Sequence, residues 1–259
     1  MKYNRYADLL DVFSWGGATL GHTLLAALLQ GYETEPHRCA SVRVVQQLRQ
    51  HNLIAARGRG AQAEFSLTAQ GRQRVGLRDP EPHWQQAWDG AWRVVTFDLP
   101  ETRRQDRKRL WQALRAHRFG FLQRSVWVWP HDVRQILREI IKVEGVPECF
   151  CGFKADQLFL CTDAEIVNSA WDWQAILLRQ QQYLRQLPGL ETACRATCEP
   201  TRWGLLARTE KQAYDQATAW DPLLPQTLWP AGYRGRLLHQ RHLRWRALLG
   251  DRLSRMTSR

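Results

Sequence analysis

The stretch from Trp92 to Arg104, WRVVTFDLPETRR, restricts the fold more than any other part of the chain. An apolar run of strand length, with Val94, Val95 and Phe97, stops at Asp98. Pro100 cannot donate to a sheet ladder, and the hydrophobic period changes at once from that of a strand to that of a helix. In ETRRQDRKRLWQALRAHRF, Leu110, Ala113, Leu114 and His117 share one face. Arg103, Arg104, Arg107, Lys108, Arg115 and Arg118 lie on another, with Trp111 among them, so the helix is amphipathic with a basic stripe. Gly120 is placed to end it. FLQRSVWVWP, stopped by Pro130, reads as a second strand and DVRQILREIIKV as a second helix. ECFCGF and DQLFLC read as two further strands. An alternation of strands and helices in this order predicts a ferredoxin-like α+β sandwich over 91–163.

Upstream the pattern is different. NRYADLLDVFSW and GGATLGHTLLAALLQG have helical apolar spacing, with Leu9, Leu10 and Phe13 in the first and Leu20, Leu24, Leu25 and Leu28 in the second. A third helix follows, with Thr34 as its cap, Pro36 in its first turn, and Val42, Val45 and Leu48 as its buried stripe. Its other side offers Ser41, Arg43, Gln46, Gln47 and Arg49, side chains able to reach base edges and phosphates. Leu53–Ala56 and Glu64–Leu67 then frame a glycine-rich turn carrying Arg57 and Arg59, and Thr68 caps another helix. Three helices and a basic hairpin predict a winged helix-turn-helix over 1–76, with the third helix in the major groove and the hairpin on the DNA backbone. The polar, proline-bearing segment 77–90 reads as a linker. The remainder, 164–259, reads as a helical domain punctuated by Pro222, Pro225 and Pro230. The whole is therefore expected to be α+β: winged helix-turn-helix, ferredoxin-like domain, helical segment.

Charge agrees with a polyanion partner. The chain carries 37 Lys and Arg against 25 Asp and Glu, a net +12. Residues 231–259 hold eight arginines and a single acid, Asp251. No apolar run is long enough to span a membrane, and the N-terminus lacks the apolar core of a secretory signal, so a cytoplasmic protein is expected. Six cysteines are present, but Cys149/Cys151 and Cys194/Cys198 lack CxxC spacing and no histidines follow at zinc-finger distance. No metal and no cofactor are expected from them.

The segment WDGAWRVVTFDLPETRRQDRKRLWQALRAHRFGFLQRSVWVWP strongly resembles the central domain of the PaaX family, bacterial repressors of phenylacetate degradation. The likeness continues in AWDWQAILLRQQQYL and returns in WDPLLPQTLWPAGYRGRLLHQ, and the N-terminal winged helix with its FSLTAQG end also fits. The resemblance implies a DNA-binding repressor, a homodimer on an inverted repeat of double-stranded DNA, released by a small acyl-coenzyme A effector. Candidate effector-binding residues are Arg103, Arg104, Arg234 and Arg236. WPAGYRGRLL departs from the family pattern, because Ala231 separates Pro230 from Gly232. The same domain is similar to the small ferredoxin-like nuclease subunit of CRISPR adaptation, in which a strand-end aspartate binds a metal across a dimer. Asp98 matches that position.

Asp98 thus has two readings. As a structural residue it would accept N–H bonds at the start of the following helix or pair with Arg103 or Arg107. As a metal ligand it would need further oxygen donors held beside it. The expected function is DNA-binding regulation without catalysis. The alternatives are a metal-dependent nuclease using Asp98 and a non-enzymatic scaffold for an acidic partner.

Overall fold

The computed structural model describes Leu10 and residues 12–14, 19–32, 45–76, 79–145 and 150–257. The chain forms two compact units. The central unit is Pro80–Gln180 with Ala217–Gly235, and the composite unit is Met1–Asp79 with Gln181–Gln216 and Arg236–Arg259.

In the central unit, β4 (Trp92–Phe97), α4 (Arg104–Ala116), β5 (Gly120–Gln123), β6 (Val126–Trp129), α5 (Arg134–Glu144) and β7 (Phe150–Ala155) follow the βαββαβ order. The sheet runs β5-β6-β4-β7, every neighbour antiparallel, which is the ferredoxin-like topology. Three local expectations change. FLQRSVWVWP is a hairpin, with Arg124 and Ser125 as its turn, because Phe121 must lie opposite Trp127 to share the core. DQLFLC is not a strand: Leu160 takes a left-handed φ of 60°, and Thr162 closes a capping box with Glu165 to start α6 (Asp163–Ala170). Gly120 does not end α4. The left-handed residue there is Arg118, with φ 68°. Gly120 is needed because a Cβ would stand 2.7 Å from Ala170 Cβ and the Trp171 ring.

The two sheet faces divide the apolar residues. One face packs Val95, Phe97, Trp127 and Trp129 against Leu110 and Leu114 of α4 and Leu137 and Ile140 of α5. The other packs Trp92 and Val128 against Ile166, Val167, Trp173, Leu224 and Leu228. The tryptophans on this second face make a continuous ring chain: Trp84–Trp229–Tyr233–Trp173–Trp171–Trp92–Trp88. The indoles of Trp88, Trp92, Trp171, Trp173 and Trp229 are satisfied locally, for instance Trp92 Nε1 on Asp163 at 2.7 Å and Trp173 Nε1 on the Val167 carbonyl at 2.7 Å. Each such side chain contributes about 2–3 kcal/mol of burial, so these rings are structural.

One buried polar group organises the segment after this face. Asp221, 1% exposed, accepts from the Leu223 N–H at 2.8 Å, the Tyr233 hydroxyl at 2.8–2.9 Å and Gln180 Nε2 at 3.1 Å. Gln180 also accepts the Arg234 N–H at 3.0 Å, and the Arg118 guanidinium donates to the Asp221 carbonyl. Burial raises the Asp221 carboxyl above its ordinary value, opposed by these donors and the Arg118 charge.

The composite unit draws on α1 (His22–Tyr32), α2 (Ala69–Gly76) and most of three long helices, α7 (Trp173–Ala196), α8 (Pro200–Thr218) and α9 (Gly235–Thr257). α1 and α8 cross without side chains between them. A Cβ on Gly31 would stand 1.7 Å from the Thr201 carbonyl oxygen, and one on Gly204 2.0 Å from that of Leu28. Arg246 of α9 donates to Ser14. Between α7, α8 and α9, the buried Glu210 accepts from Tyr183 and faces His242 Nδ1 at 2.8 Å, with Tyr214 stacked on His242. Arg252 caps the end of α7 through the carbonyls of Arg195, at 2.9 Å, and Thr197, at 3.0 Å.

Candidate nucleic-acid interface

The 45–50 segment is helical, with Leu48 buried, Gln46 and Arg49 exposed and Gln47 half-buried. Its end is built by Asn52, which takes a left-handed φ of 54°. The Leu53 N–H returns to the Leu48 carbonyl at 2.8 Å and the Asn52 N–H to Arg49 at 2.9 Å, satisfying carbonyls the helix leaves open. Thr68 then locks this corner. Its hydroxyl donates to the Asn52 carbonyl at 2.6 Å and accepts the Gly71 N–H at 3.0 Å, capping α2 as the sequence predicts. Gly71 lies so close to Leu53 that a Cβ would meet its carbonyl oxygen at 2.0 Å. The FSLTAQG end is therefore a packing device for the helix before the wing.

The wing is a three-stranded sheet, β1-β3-β2, of β1 (Leu20–Gly21), β2 (Ile54–Arg57) and β3 (Glu64–Leu67). Ile54 and Phe65 point inward, and Arg57 stands opposite Glu64 in the register. The tip needs glycine: Gly58 and Gly60 have φ of 83° and 60°, and a Cβ on Gly58 would meet Gln62 at 2.7 Å. Arg57 and Arg59 are exposed, and neither is paired with a carboxylate among the described residues. The structure thus brings Gln46, Gln47, Arg49, Arg57 and Arg59 into one unit. Ser41 and Arg43, with Thr34 and Pro36, lie outside the described residues.

Asp98 takes neither local role expected of it. It is exposed, the Arg103 guanidinium goes to Asp106 at 2.6 Å, and Arg107 donates to the Leu99 carbonyl. The 3-10 turn before α4 and α4 itself have no side-chain cap. Asp106 takes the bridging part instead, its carboxyl held below the ordinary range by the hydrogen bonds from Arg109 and then Arg103. The sequence already contains that signal, since Asp106 lies three residues from each arginine. Among the described residues no three His, Cys, Asp or Glu side chains gather as a metal site would require. Of the four effector candidates, Arg103 is engaged with Asp106, Arg104 and Arg234 are exposed, and Arg236 is half-buried.

Residues 85–167 match the family model described as the PaaX protein central Cas2-like domain. That segment is similar to the PaaX central domain. The match begins before β4 and ends within α6, so it contains the whole ferredoxin-like sheet. No curated protein matches the sequence significantly. Among solved structures, the uncharacterized protein Rv0674 from Mycobacterium tuberculosis is similar over 98% of both chains, with a TM-score of 0.62 and 18% identity. That likeness is one of fold. Among the described residues no helix is long and apolar enough to cross a membrane.

Proposed function

We propose that the chain is a sequence-specific DNA-binding transcriptional repressor, acting as a homodimer and released by a small acyl-coenzyme A-type effector. The observation that carries this reading is the wing: two exposed arginines on a glycine-built hairpin, braced beside a helix that turns Gln46 and Arg49 to solvent. The helix that contains residues 45–50 reads base edges, and Arg57 and Arg59 hold phosphates. The PaaX central domain supports the regulatory role, and the net +12 supports a polyanion partner.

The test is a protected segment in the DNA around the gene, followed by affinity measurements. Replacing Arg43 or Gln47 by alanine is expected to weaken operator binding by about 1–3 kcal/mol and to relax specificity at one position. Unchanged affinity and footprint in both variants would remove the recognition helix from the reading. Replacing Arg57 and Arg59 by glutamine is expected to weaken binding to all sequences alike, and to flatten the salt dependence by nearly two units of slope. Effector release is tested by titrating acyl-coenzyme A thioesters into the operator complex, where no release by any of them removes that part of the proposal.

A second reading has one observation in its favour. Asp98 is an exposed carboxylate at a strand end that neither caps nor pairs among the described residues, which leaves it available to a divalent cation shared with a second copy. Incubating the protein with DNA and Mg²⁺ or Mn²⁺ decides it. Cleavage that Asp98→Ala abolishes supports a nuclease, and cleavage that persists in the variant assigns the activity elsewhere.

A further inference from the structure

The basic residues in and beside α4 are not uniformly solvated. Asp106 takes Arg103 and Arg109, Arg107 turns back to the Leu99 carbonyl, and Arg118 reaches the Asp221 carbonyl. Those cations are structural. Lys108, Gln112 and Arg115 remain, all exposed, and Arg104, also exposed, starts the same flank, with spacings of four, four and three along the helix. Lys108 and Arg115 have no carboxylate partner among the described residues.

The flank can be located. Trp111, between Lys108 and Arg115 in sequence, rests on Phe121 of β5 with ring centroids 5.2 Å apart. β5 is the edge of the sheet. Arg109, on the other flank, is the residue that feels the charge of Glu144 on α5. The cationic row therefore lies on the β5 side of α4 and not on the α4–α5 seam. Arg104 and Lys108 are like charges at i and i+4, an arrangement that weakens a helix. The row spans about 16 Å at 1.5 Å per residue, long enough to meet successive phosphates and too long for one small anion.

We propose that this flank, with Lys108 and Arg115 as its principal cations and Arg104 at its start, binds the phosphate backbone of nucleic acid as a second contact surface in the central unit. In this proposal Lys108 and Arg115 meet phosphates and not base edges, so the contribution is independent of sequence. It adds affinity, and with it salt sensitivity, to whatever specificity the winged helix supplies. It requires a polyanion partner but not the operator reading of the winged helix.

The test compares wild type with Lys108→Gln/Arg115→Gln in the full chain. Fluorescence anisotropy on a duplex of arbitrary sequence is followed from 50 to 300 mM salt. Removal of two phosphate contacts is expected to reduce the slope of log affinity against log salt by about 1.8, with an unchanged circular dichroism spectrum. An unchanged slope overturns the proposal. Failure of operator specificity with the slope difference intact sinks the winged-helix reading and leaves this one standing. A third arm adds pyrophosphate at ionic strength matched with chloride salt. Displacement of wild type but not of the double variant would assign the row to a small phosphorylated ligand and overturn the duplex reading.

Discussion

Asp221→Ala is expected to destabilise the central unit by about 3–5 kcal/mol, which urea melts would record as a large fall in midpoint. The change strands three donors at once: the Leu223 N–H, Gln180 Nε2 and the Tyr233 hydroxyl. Each buried donor left without an acceptor costs about 1–3 kcal/mol, and the values are not fully additive because the donors share one cavity. The effect should spread, since Gln180 and Arg234 lie at the ends of the segments that leave this unit, and Gln180 is held by the same cluster. The carboxyl also sets a pH dependence. Its folded pKa is raised, so the native state holds the proton more tightly than the unfolded chain. Its contribution is therefore greatest below the ordinary carboxylate range and declines as pH rises through the raised value. Wild type should show that decline relative to Asp221→Ala when melts at pH 4 and pH 7 are compared. An alanine variant as stable as wild type at both pH values would show that the cluster is incidental.

Gly204→Ala is the second large effect, at about 3 kcal/mol in the composite unit. One methyl group would lie 2.0 Å from the Leu28 carbonyl oxygen and 3.0 Å from the Tyr32 nitrogen, both backbone atoms of α1. Backbone cannot rotate away as a side chain can, so the two helices must separate and forfeit the contacts around Gly31 and Thr201. Gly189→Ala is the control, because Gly189 lies in α7 with nothing within 4 Å of its missing Cβ. That change should raise stability by up to about 1 kcal/mol through helix propensity alone. A loss at Gly189 as large as at Gly204 would mean that helix propensity, and not close approach, governs these positions.

Asp98 and Asp106 show where reading the sequence reached its limit. Both lie near the same arginines in sequence, and the aspartate after the strand was the natural candidate for their partner. The chain gives that part to Asp106, because a helix brings residues three apart onto one face while the turn at Leu99 and Pro100 carries Asp98 away. Gly120 shows the same limit. A glycine after a helix resembles a stop, yet here Arg118 bears the positive φ and Gly120 is reserved for contact with Ala170 and Trp171, fifty residues on. Local pattern reports what a residue permits, whereas distant neighbours decide which permission is used.

The ferredoxin-like order was legible because strand and helix periods differ and the prolines mark the joints. Thr68 as a cap and the Gly-Arg tip of the wing were legible for the same reason: caps and tight turns are built from residues close in sequence. The sequence by itself also determined the basic balance and hence the class of partner to expect. Only the tertiary structure decided which arginines are free, because ion pairing consumes some and carbonyls consume others. Only it revealed the side-chain-free crossing of Gly31 and Gly204, and the three donors gathered on Asp221. Gln180 reaches Asp221 from 41 residues away, and the glycine crossing joins backbone 170 or more residues apart, and periodicity carries no information at that range.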